Sequence, residues 1–411
     1  MPGGLRIAHI VDYLMPTMGY QEFLLPKWNA LHGHDVHIIT SDRYTPIPSY
    51  DAVWGPLLGP RNCGRGIFVQ EDVTIHRLPV LFEVKSRPWL GGFRRALRSI
   101  RPDVVFCHGT ASFNALRSGL LARRDRVPLL MDNHMTFGCR NRSLSGRAYY
   151  ALLRLLTRWI LIPHVHHFFG VADECSAFLR EEQRIPQGKI GLLPLGIDTE
   201  LFQPDSEGGS RIRDEHSIPA DARVVLQTGK LTEDKGPHLL AEAMAPLMRK
   251  DPDLWLVFVG SGPNDMLDRI HAPLAAQRVE ARLEILPLVP AFELSAVYSM
   301  ADLCVFPAAA SLSALEAAAC GRAVVMTDLP ACRWRASCGV GLTYPAGDVN
   351  ALRETIGEIL GDADKRLALA RRGREAVLAS FSYDRIARDS EAAMREAVYA
   401  LRQPAGLERP S

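Results

Sequence analysis

The chain has 411 residues, of which 47% are hydrophobic and 23% charged, and its formal net charge is +2. This composition is typical of a globular protein of two or three domains and excludes a disordered or fibrous chain. The charge is too small to indicate a nucleic-acid-binding protein, although a slight basic excess in the first half permits an anionic ligand or surface there.

Short apolar runs alternate with amphipathic stretches, which predicts parallel sheets covered by helices. In the first half the predicted strands are Leu5–Val11, Asp35–Thr40, Val104–Cys107, Pro128–Met131 and His167–Val171. In the second half they are Arg223–Gln227, Leu254–Val259, Leu283–Leu286, Leu303–Phe306 and Ala323–Thr327. The predicted helices are Gln21–Leu31, Arg94–Ile100, Tyr149–Leu161, Pro237–Arg249, Ala314–Cys320 and Ala351–Ile359. Two βα-rich halves follow, with a boundary near Phe202–Gly209, where proline, serine and glycine cluster.

Cysteine usage and hydropathy indicate the compartment. The eight cysteines lack the close spacing of a zinc or redox site, as expected of reduced thiols. No stretch reaches the roughly 18–20 apolar residues of a membrane span, and the first residues lack the basic leader of a secretory signal. We therefore expect a cytoplasmic protein.

Unusual residues follow the predicted strands. Gly19, His108 and His134 come after strands of the first half, and Gly229, Lys230 and Ser311–Glu316 come after strands of the second. In open parallel sheets, ligands bind outside the carboxyl ends of the strands. We expect two such edges to face each other across one cleft between two domains.

The segment Gly229–Gly236 is a candidate anion site. Lys230 and Lys235 lie in a turn between a strand and a helix that opens at Gly236 and Pro237. A helix start attracts anions through its free amides and dipole, and two ammonium groups beside it would stabilise a departing diphosphate. A solvated lysine-containing loop is the alternative.

Two interpretations remain for Ser311–Gly321, which reads as a helix that ends at Gly321. Ser313 and Glu316 have the spacing of a capping box. Glu316 could instead accept hydrogen bonds from ribose hydroxyls, with the amides around Ser311–Ser313 facing phosphate or sugar. His134 and His108 likewise are either partners of a sugar or ordinary structural histidines, and Gly19 alone is weak evidence of a phosphate contact.

Several motifs in this order resemble retaining glycosyltransferase family 4, which has the GT-B fold, and the resemblance covers nearly the whole chain. They are Gly33–Thr40, Leu193–Asp198 with Phe202 and Pro204, Gly229–Gly236, Ala301–Asp302, Glu316–Gly321, Gly347–Asp348 and Phe381–Tyr383. The fold implied is α/β, with two facing Rossmann-like domains, parallel sheets and an interdomain cleft. Its domains would be residues 1–204, completed by a C-terminal helix at about 384–402, and residues 205–383.

The resemblance also implies a role for each matching residue. Lys230 and Lys235 would hold the donor diphosphate with Gly229, Glu316 the ribose, and Ser311, Leu312 and Ser313 the phosphate or sugar. Val289 would lie near the base, Gly19 near the distal phosphate and His134 near the transferred sugar. The sequence departs from the family pattern at Lys230, which is usually arginine, and at Ala308, where the first glutamate of a pair would fall.

The predicted function is transfer of a sugar, with retention, from a nucleoside diphosphate sugar to a glycan, lipid-linked or small-molecule acceptor. No carboxylate pair is placed for glycoside hydrolysis, so the departing diphosphate would act as base on the same face. The two lysines would make a metal or other cofactor unnecessary. The alternative, motivated by Ala308, is a catalytically silent GT-B protein that binds a nucleotide sugar or acts as a scaffold.

Contact with the inner face of a membrane is a further hypothesis. Trp89–Arg101 and Arg140–Leu161 mix arginines with aromatic residues and leucines, as interfacial helices do. The alternative is that the leucines pack inward and the arginines are solvated.

Overall fold

The computed structural model describes residues 3–47, 50–53, 55–139 and 143–402. By its internal contacts the chain divides into an N-terminal unit, Met1–Leu195 with Ile386–Ser411, and a C-terminal unit, Gly196–Arg385. The functional domains predicted above, 1–204 with 384–402 and 205–383, stay a prediction.

The N-terminal unit contains ten strands. Their bounds are β1 Arg6–Ile10, β2 Asp35–Ser41, β3 Gly66–Gln70, β4 Val73–Leu78, β5 Val80–Val84, β6 Arg87–Leu90, β7 Val104–His108, β8 Leu129–Asn133, β9 Val165–Gly170 and β10 Ile190–Leu192. Eight of them form one sheet in the order β10-β9-β8-β7-β1-β2-β4-β3, while β5 and β6 form a separate hairpin. All neighbours in the large sheet are parallel except β3 and β4.

The helices of this unit are α1 Gln21–Leu31, α2 Tyr50–Val53, α3 Gly55–Leu58, α4 Phe93–Ile100, α5 Phe113–Asp125, α6 Leu144–Leu156 and α7 Asp173–Glu181. The predicted helix Tyr149–Leu161 was wrong at its start, and its predicted end coincides with the end of a π turn. Ser143 caps α6 by accepting a hydrogen bond from the Gly146 amide, so the helix begins before the apolar periodicity is evident. It changes to a π turn over Thr157–Leu161.

The C-terminal unit contains a sheet of six parallel strands. They are β11 Arg223–Thr228, β12 Leu254–Val259, β13 Leu283–Leu286, β14 Leu303–Phe306, β15 Ala323–Thr327 and β16 Leu342–Tyr344, in the order β13-β12-β11-β14-β15-β16. Its helices are α8 Ser206–Glu215, α9 Pro237–Lys250, α10 Asn264–Ala276, α11 Leu294–Ser299, α12 Ser313–Ala319, α13 Pro330–Ser337, α14 Val349–Gly361 and α15 Ala363–Ser380. The last helix, α16 Tyr383–Arg402, belongs to the N-terminal unit from Ile386 onward.

Both faces of the C-terminal sheet are covered. Val224 and Leu226 of β11 pack in one apolar cluster, whereas Val225, which points the other way, packs in a second. A strand buried on both faces reads as a continuous apolar run, which is why the strands of this unit are visible in the sequence. The predicted α/β class with parallel sheets in two units is confirmed.

The segment Ser206–Gly209, whose composition favours a linker, instead opens α8. The Asp205 carboxylate caps the helix by accepting from the Gly208 amide at 2.9 Å. A Cβ added to Gly208 would lie 2.7 Å from the Ala296 Cβ, and one added to Gly209 would lie 2.7 Å from the Ser299 carbonyl carbon. The glycines therefore allow α8 to pack closely against α11.

Candidate functional site

Most of the candidate residues follow strands at or next to the point where the strand order reverses in each sheet. In the C-terminal unit β11 lies beside β14, so the loops Gly229–Gly236 and Pro307–Leu312 leave neighbouring strands at the same edge. In the N-terminal unit β1 lies beside β7, and β7 beside β8. Such points of reversal are where open α/β sheets bind ligands.

The loop after β11 is held by backbone contacts. The Gly229 amide donates to the Val259 carbonyl and the Leu231 amide to the Ser261 carbonyl, both at 2.9 Å. A Cβ added to Gly260 would lie only 1.8 Å from the Gly229 oxygen, so the loops after β11 and β12 touch backbone to backbone. This contact fixes the segment that carries Lys230.

Both lysines of this loop keep their ammonium groups available. Lys230 is exposed, and no ion pair or hydrogen bond of its ammonium involves the residues that the structure describes. Lys235 is partly exposed, with its Nζ 3.7 Å from an Asp234 carboxylate oxygen. Gly236 then takes a left-handed φ of 66°, and α9 begins at Pro237 as predicted. Two cations therefore border a helix start.

The loop after β14 is anchored at both ends. The Tyr344 hydroxyl donates to the Pro307 carbonyl, and the buried Arg335 guanidinium donates to the Ser311 carbonyl, each at 2.6 Å. Between these anchors the loop touches the start of α9, because a Cβ added to Gly236 would lie 2.8 Å from the Ala308 Cβ. The structure therefore brings Gly229–Gly236 against the loop that leads into the predicted segment Ser311–Glu316.

The capping-box interpretation of Ser313 and Glu316 was wrong. Helix α12 begins at Ser313 itself, so Leu312 is at the N-cap and no side chain caps the helix. The Ser311 hydroxyl instead accepts from the Ser313 amide at 3.2 Å. The Glu316 carboxylate therefore does not cap a backbone amide at the helix start.

A tyrosine that the sequence did not single out orients Glu316. The Tyr298 hydroxyl donates to Glu316 Oε2 at 2.6 Å and lies 3.0 Å from the Thr228 hydroxyl at the end of β11. Burial raises the pKa of Glu316, while hydrogen bonds from Tyr298 and Ser313 oppose that rise. The Glu316 carboxylate is therefore held through Tyr298 near the end of β11, the strand that leads into Gly229. Val289, which follows β13, and Leu312 are both partly buried. They pack against the apolar cluster of the C-terminal unit that contains Tyr298.

In the N-terminal unit, Gly19 ends a 3-10 turn over Pro16–Met18 with a left-handed φ of 67°. A Cβ added there would meet nothing within 4 Å, so this glycine serves the backbone turn and leaves open space around it.

His134 follows β8 and lies against a buried carboxylate. Its Nε2, which has no exposed surface, is 3.6 Å from Asp132 Oδ1, while the side chain as a whole is 34% exposed. Nδ1 is therefore the ring nitrogen that can reach a ligand. Burial alone would lower the pKa of His134, but the Asp132 carboxylate outweighs burial and raises this pKa to about 9. Glu22, in the first turn of α1, adds to the increase.

His108 shares the same carboxylate. Its Nδ1 is 2.7 Å from Asp132 Oδ2, and Asp132 Oδ1 also accepts from the Gly109 amide at 2.8 Å. In the described part of the chain, His108, Asp132 and His134 are the one group whose ligand-type atoms lie close enough together, within 4.8 Å, to hold a metal ion. The other ring nitrogen of His108 faces His9 at 3.1 Å, so both nitrogens of that ring already have partners and the group fits a metal poorly.

Comparisons with known proteins identify the family. Residues 210–376 match the family model described as Glycosyl transferases group 1, and residues 25–196 match that described as Glycosyl transferase 4-like domain. The chain is 29% identical over 370 residues to D-inositol 3-phosphate glycosyltransferase of Nocardia farcinica, covering 86% of this chain and 79% of that protein.

A second relative is the GDP-mannose-dependent alpha-(1-6)-phosphatidylinositol monomannoside mannosyltransferase of Mycolicibacterium smegmatis, 30% identical over 210 residues, or 48% of this chain and 54% of that protein. The chain spans about half the length of the first curated relatives it matches. The crystal structure of Anabaena HepE in complex with UDP superposes with a TM-score of 0.69 at 14% identity, covering 95% of this chain and 99% of that one. The chain belongs to the glycosyl transferases group 1 family and has the GT-B fold.

Proposed function

We propose that this protein is a retaining glycosyltransferase that moves a sugar from a nucleoside diphosphate sugar to an acceptor hydroxyl. The observation that carries the proposal is the loop Gly229–Gly236, which presents two available ammonium groups beside a helix start where the sheet order reverses. Charge at such a position stabilises a diphosphate most strongly when it departs and gains negative charge.

The residues that bind the nucleotide lie in the C-terminal unit. Lys230 and Lys235 hold the diphosphate, and the backbone at Ser311, Leu312 and Ser313 faces phosphate or sugar. Glu316, oriented by the Tyr298 hydroxyl, accepts hydrogen bonds from the ribose, and Val289 lies near the base. The departing diphosphate takes the acceptor proton on the face it leaves, which gives retention.

The N-terminal unit supplies the sugar contacts. Because the pKa of His134 is raised to about 9, its ring is an imidazolium at neutral pH and its Nδ1 donates a hydrogen bond to the transferred sugar. Gly19 lets the backbone approach the distal phosphate. Since lysines already offset the charge of the leaving group, we propose that neither a metal nor another cofactor is required, and that a chelator leaves the rate unchanged.

The names of related proteins support a nucleotide-sugar donor without selecting one. The crystal structure of Anabaena HepE is a complex with UDP, whereas the Mycolicibacterium relative is a GDP-mannose-dependent enzyme. The donor is therefore to be found by screening uridine, guanosine and adenosine diphosphate sugars for stabilisation of the full chain, since a ligand selective for the folded state raises the melting temperature.

Turnover of the selected donor separates this proposal from a catalytically silent GT-B protein, which Ala308 motivates as the alternative. A transferase releases nucleoside diphosphate from the donor, by transfer or by slow hydrolysis, and a silent protein does not. Lys235→Ala should lose most of that turnover, whereas Lys250→Ala, an exposed lysine at the other end of α9, should not. Equal turnover in the wild type and Lys235→Ala would contradict the assignment.

We also propose that the protein is cytoplasmic and contacts the inner membrane face through α6. One side of α6 and the following π turn is apolar and exposed, with two exposed arginines beside it, Arg147 and Arg158; its apolar members are Leu144, Ala148, Leu152, Leu155 and Trp159. This pattern fits an interfacial helix. The other candidate segment packs inward, since Phe93, Leu97 and Ile100 of α4 are buried, and residues 140–142 lie outside the described part of the chain.

Sedimentation with anionic vesicles at low salt tests this contact. The wild type should sediment with the vesicles, and Leu155→Glu should remain in the supernatant. Leu120→Glu, a matched change of an exposed leucine on α5, should behave as the wild type. A wild type that stays in the supernatant would refute the membrane contact.

A further inference from the structure

A chain of contacting side chains, joined by one ion pair and four hydrogen bonds, connects His134 to the last helix through the interior of the N-terminal unit. From His134 it passes through Asp132, His108, His9 and Asn29 to Glu391 of α16. None of these five partners is more than 8% exposed, and His9, Asn29 and Asp132 have no exposed surface. Burying so many polar groups costs free energy unless every donor has an acceptor, so the proton positions can be worked out from the contacts.

The Glu391 end fixes the orientation of the Asn29 amide. Glu391 Oε1 is 2.8 Å from both Asn29 Nδ2 and His32 Nδ1. Burial alone would raise the pKa of Glu391, but hydrogen bonds from His34, Asn29 and His32 outweigh burial and lower it. A carboxylate only accepts, so Asn29 Nδ2 must face it and Asn29 Oδ1 must face His9.

Counting protons then gives the charge of the histidine pair. His9 Nε2 lies 3.1 Å from Asn29 Oδ1, so this nitrogen carries a proton. His108 Nδ1 lies 2.7 Å from the Asp132 carboxylate, so it carries one as well. The remaining nitrogens, His9 Nδ1 and His108 Nε2, are 3.1 Å apart and need one proton between them. Three protons on two rings make one positive charge.

That charge belongs on His108 for two reasons. His108 is in contact with the buried Asp132 carboxylate, whereas the neighbours of His9 are the neutral Asn29 amide and the other ring. An ion pair with a buried carboxylate offsets the cost of burying both charges, and a lone buried cation has no such compensation.

We propose that His108 is a fixed imidazolium that positions the His134 ring through Asp132, and that His9, Asn29 and Glu391 hold the charge on His108. His108, His9, Asn29 and Glu391 are positioning residues, since they act on the donor only through His134. This role rests on the proposed function in one respect: His134 must face the transferred sugar. The protonation pattern itself does not depend on any substrate.

Nitrogen NMR of the full chain with ¹⁵N-labelled histidine tests the protonation pattern. The His108 and His9 signals are assigned from their absence in His108→Asn and His9→Gln. At neutral pH both ring nitrogens of His108 should be protonated, whereas His9 should carry a proton on Nε2 only. An unprotonated ring nitrogen in His108 would overturn the proposal.

Substitutions of His9 test the positioning role. His9→Gln can still accept from His108 and donate to Asn29, so it should retain most of the activity. His9→Leu leaves the Nε2–H of His108 without an acceptor, and a displaced His134 should lower kcat/KM for the donor by about 100-fold. The affinity for free nucleoside diphosphate should not change in either variant. His76→Gln alters a comparable pair, in which His37 Nδ1 and His76 Nε2 are 3.1 Å apart, and should have no effect.

The outcomes separate this proposal from the proposed function. A folded His9→Leu variant with wild-type kcat/KM, or an equal loss in His76→Gln, would refute the positioning role. If His9→Leu does not fold, the protonation of His108 in the wild type decides whether the proposal holds. A wild type without turnover of any donor counts against the proposed function, and the NMR measurement still tests the charge on His108.

Discussion

At the scale of single residues, the electrostatics of the N-terminal site centre on Asp132. The carboxylate has no exposed surface and faces two histidine rings and a backbone amide. Burial would raise its pKa, yet His108 and His134 lower the pKa of Asp132 well below its usual range. The site therefore keeps a negative charge on Asp132 and a cationic His134 ring beside it at neutral pH.

The pH dependence of the reaction should report the charge of His134. Its pKa is raised to about 9, so kcat/KM for the donor should be level through neutral pH and fall as the pH rises through about 9. Asp132→Asn removes the carboxylate that raises this pKa and should move the fall to lower pH. The same ion pair also contributes to the free energy of unfolding. This contribution is complete below the pKa of about 6.5 that histidine has in the unfolded chain, and it is lost as the pH rises through about 9. A fall at the same pH in both proteins would contradict this explanation.

Tyr298→Phe should loosen Glu316 without changing the shape of the core. The lost hydroxyl donates to Glu316 and contacts Thr228, so the free energy of unfolding should fall by about 1–3 kcal/mol because partly buried polar groups lose a partner. Urea denaturation measures this loss, and KM for the donor should rise. The control is Tyr399→Phe, at an exposed position of α16, which should leave both quantities unchanged. Equal stability of Tyr298→Phe and the wild type would contradict the role of this hydroxyl.

At the scale of elements, close packing of α8 on α11 depends on glycine. Gly209→Ala would place its Cβ 2.7 Å from the Ser299 backbone and should destabilise the protein by about 1–3 kcal/mol through overpacking. The control is Gly357→Ala, whose Cβ would make an ordinary contact with Leu247 at 3.6 Å. That change should stabilise α14 by up to about 1 kcal/mol. If thermal unfolding shows both alanines stabilising, the packing explanation for Gly209 is wrong.

The buried strands were the most predictable elements. β12, β13, β14 and β15 have the predicted bounds, because strands covered on both faces are short apolar runs between polar turns. β3 was missed since it is an antiparallel edge strand whose Ile67, Phe68 and Val69 are exposed, so its residues follow no buried pattern. Helix α8 was missed because its first turn consists of residues typical of linkers.

At the scale of the whole chain, the position of the candidate site was easier to predict from the sequence than the hydrogen bonds that fix its residues in place. Residues that follow strands could be placed at a sheet edge from chain order alone, and Gly229–Gly236 does meet there the loop that leads into Ser311–Glu316. Tyr298, Arg335 and Tyr344 were not predicted, because each acts across a long sequence separation from within an ordinary helix or strand. The same holds for Glu391, which is 362 positions from Asn29.

The roles of the site residues stay a proposal, and its central claim is that Lys230 and Lys235 hold a diphosphate. Calorimetric titration of the full chain with a nucleoside diphosphate and with the corresponding nucleoside tests it most directly. The double variant Lys230→Ala/Lys235→Ala should lose more than tenfold in affinity for the diphosphate, since each charged contact contributes about 1.5–3 kcal/mol, and should bind the nucleoside as the wild type does. Equal diphosphate affinity in the wild type and the double variant would contradict the claim.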